Sequence, residues 1–336
     1  MNVSIIVPTR NRNETLEETI AHINHTYSTH LTENKLEIII VNDGETSLDN
    51  LKQRYQNLKI LKNERPGAGN ARNTGAKLAK NELLLFIDDD ILIGTDCIEK
   101  HVNGHNTYTR SLISGTWTYN DSIIDKFKST PFGRYKLEND YTTLKEKREN
   151  LVVNSIYTCD SLASFNLSVL KSDFVELGGF DPGFPYAGCE DQELTMRAKE
   201  KGFTLLLDIS NINIHNEKDR VDMDKWLMRQ YTGIQGFVAL CNLFPYRKKD
   251  ALYSENTPIN RGDSLGMKLK KVVKFLLAMN LPLYLIKQLT ALLESMKASD
   301  SLLFKLYNLL CGLYIYKGFR YSYKTEIAAN KNAIEN

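Results

Sequence analysis

The sequence predicts an α/β protein built on a wound sheet, with a helical region toward its C-terminal end. Three observations carry that reading. Short, near-continuous apolar runs of strand length, "VSIIVPT" (3–9), "LEIIIVND" (36–43), "LKILKN" (58–63) and "LLLFIDDD" (83–90), have the pattern of parallel strands covered on both faces. Between them, "NETLEETIAHINH" and "GNARNTGAKLAK" have helical composition and spacing. Polar residues follow three of the runs, Thr9-Arg10-Asn11, Asn42-Asp43-Gly44 and Asp88-Asp89-Asp90, and the carboxyl ends of strands are where a wound sheet gathers its ligands.

The elements continue in order. "SLISGTW" (111–117) reads as a further strand, and the polar stretch from about 119 to 155, which lacks periodicity, as an insertion or mobile loop. "SLASFNLSVL" (161–170) restores order. The Gly/Pro-rich "GGFDPGFPYAGCEDQELTMRAKEKGF" (178–203) then feeds a helix that stops at Gly202, and "TLLLDIS" and "NINIH" supply strand material ending at His215. Residues 245–266 hold few apolar side chains and read as a linker. Two apolar helix-like stretches with Lys, Arg and Tyr at their margins follow.

Bulk properties narrow the function. The 336 residues, 42% hydrophobic and 25% charged, are ordinary globular composition. Lys plus Arg number 43 against 41 Asp plus Glu, a formal charge of +2, so no global field points to nucleic acid. The five cysteines, Cys97, Cys159, Cys189, Cys241 and Cys311, are odd in number and form no C-x-x-C pair. That pattern speaks for reduced thiols and against a disulfide framework or a zinc site. "MNVSIIVPTR" lacks a basic n-region and a long apolar run, so the protein is expected in the cytoplasm, and N-x-S/T sequons such as those at Asn24 and Asn166 are chance matches.

Chemistry enters with the aspartate triplet. Three like charges at the end of a buried strand repel one another, and Asp88, Asp89 and Asp90 form a D-x-D pattern suited to a hard divalent ion such as Mn²⁺ or Mg²⁺. An acidic turn after a strand is the plainer reading of the triplet alone. "GAGNARNTG" (67–75) is a Gly-rich loop opening a helix, in the manner of a phosphate loop, but Arg72 stands where the third glycine of a dinucleotide fingerprint belongs. Glu190 and Asp191 sit at a helix mouth, where acids also serve simply to complement the helix dipole.

Taken together and in order, "IIVPTRNR", "VNDGE", "GAGNARNTGAKLA", "LLLFIDDDI" and "GGFDPGFPYAGCEDQELTMRAKEKGF" resemble the family 2 glycosyltransferases of GT-A fold, over residues 3 to about 215. The resemblance implies a mixed wound sheet flanked by helices, and an inverting, metal-dependent transfer from a nucleotide-diphosphate sugar to a hydroxyl of a saccharide or lipid-linked glycan. It assigns Pro8, Thr9 and Arg10 to the loop along the nucleotide, and Asp43 to the imide N–H of the base. That contact suits uracil, thymine or guanine but not cytosine, and a UDP-sugar is the expected donor. Arg72 is carried over as the arginine beside base and phosphates, Asp88 and Asp89 as facing the ribose or metal waters, and Asp90 as a metal ligand. Asp191 is the implied catalytic base, with Glu190 beside it on the acceptor side, and His215 an implied metal ligand. An ordinary aspartate is ionised at neutral pH, so the base needs no raised pKa.

The expected domains are a catalytic one over 1–245, with a nucleotide-binding half to about 117 and an acceptor-side half over 118–245, then the linker and helical region over 246–336. The apolar, Lys- and Tyr-flanked tail reads either as helices on a membrane surface, at the inner face of the cell membrane, or as ordinary core. Lys305 and Asn280-Leu281-Pro282 interrupt its two stretches, which argues against a spanning helix. Two rival functions share the fold: a sugar nucleotidyltransferase, whose Gly-rich N-terminal loop is replaced here by "PTRNR", and a non-catalytic nucleotide-sugar-binding protein.

Overall fold

In the computed structural model, which describes residues 1–33, 35–142, 156–184, 188–218 and 220–335, the chain divides by packing into two units. The first comprises Met1–Ile123 and Tyr141–Glu217, the second Ile124–Asp140 and Lys218–Asn336.

The first unit opens with β1 (Val3–Thr9), α1 (Asn13–Thr26), α2 (Ser28–Thr32), β2 (Leu36–Asn42), α3 (Asp49–Arg54), β3 (Leu58–Lys62), α4 (Ala68–Leu78) and β4 (Leu83–Ile87). It continues with the two-residue β5 (Ile91–Leu92), α5 (Cys97–Thr107) and β6 (Ser111–Thr118). α6 (Asp121–Lys128) follows and runs past the end of the unit's first segment. The second segment adds β7 (Ile156–Thr158), β8 (Asn166–Leu170), α8 (Lys171–Leu177), α9 (Glu190–Glu200) and β9 (Thr204–His215), the label α7 belonging to a helix of the other unit. Among the described residues the sheet runs β3-β2-β1-β4-β8-β6-β9-β5, with β7 also on β9. β1, β2, β3 and β4 pair in parallel, whereas β8 meets both β4 and β6 antiparallel and β5 meets β9 antiparallel, so the sheet is mixed. "TLLLDIS" and "NINIH" form one strand, because their inward residues continue a single ladder along β6 with a register shift between Ser114 and Thr116.

Strand alternation divides the core. Ile5, Ile38, Leu85 and Ile87 face one side with Leu16, Ile20 and Ile23 of α1, while Ile6, Ile39, Val41, Leu84 and Phe86 face the other with Ala71, Ala76 and Leu194. α4 lies so close to the sheet that a Cβ on Gly75 would stand 2.4 Å from Ile6 Cγ2 and 3.3 Å from Val41 Cγ2. Gly67, ahead of the same helix, holds φ at 119°, a conformation that glycine takes without strain.

The second unit is helical: α7 (Pro131–Lys136), a π-helical turn at Leu137–Thr142 that begins in it, α10 (Met223–Leu243), a 3-10 turn at Pro245–Lys249, α11 (Ala251–Ser254), α12 (Leu265–Leu277), α13 (Asn280–Ser295) and α14 (Asp300–Glu335). The expected loop at 119–155 is therefore helical over 121–128, 131–136 and 137–142, while 143–155 lie outside the described residues. Its helices are too short to show a period, yet Phe132 and Tyr135 are buried with Leu303 and Tyr307 of α14, and Arg134 forks onto Asp300 with both contacts at 2.7 Å. The 245–266 stretch, expected as a linker, likewise holds the 3-10 turn and α11, with Tyr253 buried against Phe319 at 5.2 Å between ring centroids. Among the described residues no single helix is long and apolar enough to cross a membrane.

The Gly75 contact gives a direct test of sheet–helix packing. Gly75→Ala would gain about 1 kcal/mol in helix propensity. It should nevertheless lower stability by about 1–3 kcal/mol net, because a buried β-branched methyl cannot swing aside. A melting temperature equal to or above that of the parent would contradict the packing.

Candidate active site at the strand ends

The carboxyl ends of β1, β2 and β4 bring Thr9, Asp43 and Asp88 to one edge of the sheet. A backbone bond from Asp43 N to Thr9 O at 2.8 Å ties the first two. Asp43 is further held by Asn63 Nδ2 at 2.6 Å and by the Gly67 amide at 3.1 and 3.2 Å, and Arg10 Nη1 stands 4.0 Å from it. Arg10 itself is 62% exposed.

The three aspartates go to three different settings. Asp88 accepts from Arg72 Nη2 at 2.6 Å. Asp89 is buried, accepting from Thr9 Oγ1 at 2.7 Å and Arg12 Nη1 at 2.6 Å, while its carbonyl accepts from Thr19 Oγ1 at 2.8 Å. Burial pushes the Asp89 carboxyl up to about 7, against the pull of Arg12 and with the repulsion of Asp90. Asp90 is fully buried; Arg12 Nη1 lies 3.0 Å from its Oδ2, and His215 Nε2 3.4 Å from its Oδ1. The short β5–β9 ladder makes that last meeting, pairing Ile91 with His215 and joining Asn216 N to Asp90 O at 2.7 Å.

Glu217 completes this corner. Its Oε1 lies 3.5 Å from His215 Nε2, and Tyr119 Oη donates to its Oε2 at 2.6 Å. One ligand atom each from Asp90, His215 and Glu217 falls within 4.8 Å of the others. Two carboxylates and an imidazole converging in this way fit a divalent ion, whose neighbouring octahedral ligands stand about 3 Å apart for bonds of about 2.1 Å. Trp117, at the end of β6, sets its ring edge-on to His215 at 5.2 Å and 4.8 Å from Tyr119. Two further histidines are structural: His101 and His105 hydrogen-bond Asn166 and Ser168, and burial pulls both down to about 4.

Arg72 links the aspartates to the mouth of α9. Nη2 goes to Asp88 and Nη1 to Glu190 Oε1 at 3.2 Å, with Phe180 5.4 Å from the guanidinium carbon. Burial opposes its charge, but Asp88 and Glu190 offset this and hold its pKa above the usual value. Cys189, in the left-handed region at φ 70°, turns the chain into the helix, and the Gly188 amide donates to Glu190 Oε2 at 2.7 Å. Asp191 accepts from the amides of Gln192 at 2.8 Å and Ser164 at 3.4 Å. Burial, then the neighbouring Glu190 charge, push the Asp191 carboxyl up to about 6 against Arg72. The sequence reading expected an ordinary aspartate here; the difference is burial.

The geometry thus gathers Thr9, Asp89, Asp90 and His215 through direct contacts with one another and with Arg12, ties Asp43 to them through the β1–β2 edge, and joins Asp88 and Glu190 through the Arg72 guanidinium, with Asp191 next to Glu190 at the mouth of α9. Pro8 lies inside β1, paired in register with Val41. Arg12, Glu217 and Tyr119 escaped the sequence reading. Arg12 lies two residues beyond Arg10 in the quoted "PTRNR", and Glu217 two beyond His215, so only the chain's turn at each place separates the inward residue from its neighbour.

A profile of the family described as "Glycosyl transferase family 2" matches residues 4–172. The chain is similar to the poly(ribitol-phosphate) beta-N-acetylglucosaminyltransferase TarP of Staphylococcus aureus (strain N315), at 26% identity over 75% of this chain and 73% of that one. It is also similar to a poly(ribitol-phosphate) beta-glucosyltransferase of Bacillus spizizenii, at 32% identity over 31% of this chain and 17% of that one. Among solved structures it is similar to the mannosyltransferase PcManGT from Pyrobaculum calidifontis, in complex with GDP-Man and Mn²⁺, with a TM-score of 0.56, 14% identity, and 94% and 86% of the two chains covered. GalNAc-T7 with UDP, GalNAc and Mn²⁺ gives a TM-score of 0.55 at 17% identity, covering 81% of this chain and 54% of that one.

Arg12 faces two buried carboxylates, so Arg12→Met should cost on the order of 3 kcal/mol in metal-free buffer, the scale for breaking a largely buried pair. Urea unfolding with chelator present measures this. A loss below about 1 kcal/mol would mark the contact as a surface bridge instead.

Proposed function

The chain belongs to glycosyl transferase family 2, and from that premise we propose that it moves a sugar from a UDP-sugar to a hydroxyl of a saccharide or lipid-linked glycan, with inversion and with Mn²⁺ or Mg²⁺ bound. Family membership makes it a nucleotide-sugar glycosyltransferase of the bacterial polysaccharide type, with the GT-A fold, and sets aside the nucleotidyltransferase and non-catalytic readings. The observation that most supports the finer reading is the Arg72 fork, which makes the aspartate triplet and the Glu190-Asp191 pair parts of one site.

On this reading Asp43 accepts the imide N–H of the base, using acceptor capacity left beside Asn63 and Gly67. Pro8, Thr9 and Arg10 line the nucleotide, and Asp88 and Asp89 face the ribose side. Asp90, His215 and Glu217 would hold the divalent ion, which when bound neutralises charge growing on the departing diphosphate. Asp191 takes the proton of the acceptor hydroxyl as that oxygen attacks the anomeric carbon. Its two amide contacts fix the carboxylate, and its burial makes it a stronger base than a solvated aspartate while leaving it mostly ionised at neutral pH. Glu190, held by Arg72 and Gly188, stays on the acceptor side as a positioning group.

Two measurements on one preparation test this. Transfer should rise with pH through an apparent pKa near 6 and then level off, since the base must lose its proton. Asp191→Asn should lower the rate by about 10² to 10⁴ while UDP affinity is retained. Because the folded state raises this carboxyl's pKa, Asp191 destabilises the wild type as pH climbs from the unfolded value through 6, so the Asn variant should melt no lower than wild type at pH 8. Near-normal turnover in folded, UDP-binding Asp191→Asn would refute the assignment. For the metal, Glu217→Gln should weaken Mn²⁺-dependent UDP binding by calorimetry, and unchanged binding would remove Glu217 from the set.

A further inference from the structure

Surface helices ordinarily turn their apolar stripe inward, and α12 does the reverse. Leu265, Leu269, Val272, Val273 and Leu276 recur at helical spacing and are 85%, 65%, 41%, 44% and 50% exposed. Three of its four lysines are tied to acids of the same unit: Lys271 is buried and donates to Thr257 Oγ1 at 3.1 Å and Asp263 Oδ2 at 2.8 Å, while the half-exposed Lys270 and the less exposed Lys274 both reach Glu255. α13 repeats the pattern with Leu281, Leu285, Leu289 and Leu292, all exposed. An outward stripe of this length marks a surface that something covers. Alongside it, Leu269, Val273, Leu277, Leu309 and Leu313 line a groove of about 420 Å³, with Lys270 and Lys274 among the lining side chains.

We propose that this face of the C-terminal unit docks on an anionic lipid bilayer, with α12 and α13 lying in the interface and the groove taking an acyl chain. Charge selects this occupant over a second copy of the chain. Residues 246–336, which include the paired Glu255 and Asp263, carry fifteen Lys and Arg against seven Asp and Glu, a net +8 in a protein whose total is +2. A two-fold contact would set that charge against itself, whereas anionic headgroups oppose it. Shape agrees, since α12 and α13 meet at a bend of 78°, the break falling at Ala278-Met279 just before Pro282. An acyl chain in the groove would place the lipid phosphate within reach of lysines that already border it. The inference stands on the second unit alone and does not depend on the transferase reading.

Co-sedimentation of the full chain with vesicles tests it, using phosphatidylcholine alone and phosphatidylcholine with phosphatidylglycerol. The chain should pellet with the anionic vesicles, less so at high salt. The double variant Leu269→Ser/Leu276→Ser should lose about tenfold or more in apparent vesicle affinity with its melting temperature unchanged, because both side chains are exposed. Failure of the wild type to pellet with anionic vesicles, or equal pelleting by the variant, overturns the proposal. So does light scattering that finds a self-associated wild type made monomeric by the two serines, with no vesicle binding by either, which assigns the face to a second copy.

Discussion

Three adjacent carboxylates at the end of a buried strand are the constraint from which much of this structure follows. Each buried charge left uncompensated would cost several kcal/mol, and one counter-ion cannot serve three side chains that point in different directions. The chain answers by sending Asp88 to Arg72 on α4, Asp89 to Arg12 and Thr9 ahead of α1, and Asp90 toward Arg12 and His215 at the end of β9. Those partners come from segments up to 206 positions apart in sequence, as Thr9 and His215 are. They converge because β1 and β4 run parallel and β9 returns along β6, so that all of them finish at the same edge.

The two-residue strand β5 matters out of proportion to its length. Its register places Ile91 opposite His215, and the turn at Asp90 just ahead of the strand brings the Asp90 carboxylate within 3.4 Å of the His215 ring. A slip of one residue would send the histidine to the opposite face and dissolve the three-ligand corner. Tyr119 then steadies the far carboxylate through its hydroxyl, and Trp117 buttresses the imidazole, so aromatic residues at the end of β6 orient polar ones at the end of β9.

Legibility in the sequence followed the physics of each signal. The strands of the nucleotide half were readable because doubly covered strands are apolar throughout, and Thr9, Asp43 and Asp88 were readable because chemistry collects where such strands stop. Antiparallel entry of β8 and β5 was not readable from periodicity, since direction leaves no mark on composition. Arg12 and Glu217 were missed for a related reason: within "RNR" and "HNE" the chain bends, and only its φ and ψ decide which side chain turns inward. Asn11, at φ 56°, sits at the first of these bends. The helices at 121–128 and 131–136 hid behind their brevity, anchored by a few large aromatics rather than a repeating stripe. The tail was ambiguous because a stripe's period does not say which way it faces. α14 buries Leu303, Tyr307 and Leu310, while α12 turns its leucines out.

Arg72 also bears on how such a site can be altered by evolution or design. Its planar fork spends one nitrogen on Asp88 and another on Glu190, in a pocket closed by Phe180, and lysine has neither the two-pronged shape nor the permanent charge to replace it. Positions 72, 88 and 190 therefore form a single unit of variation. Single-site libraries that sample them one at a time will meet only stranded charges, whereas viable alternatives lie among coordinated triples in which the charges change together.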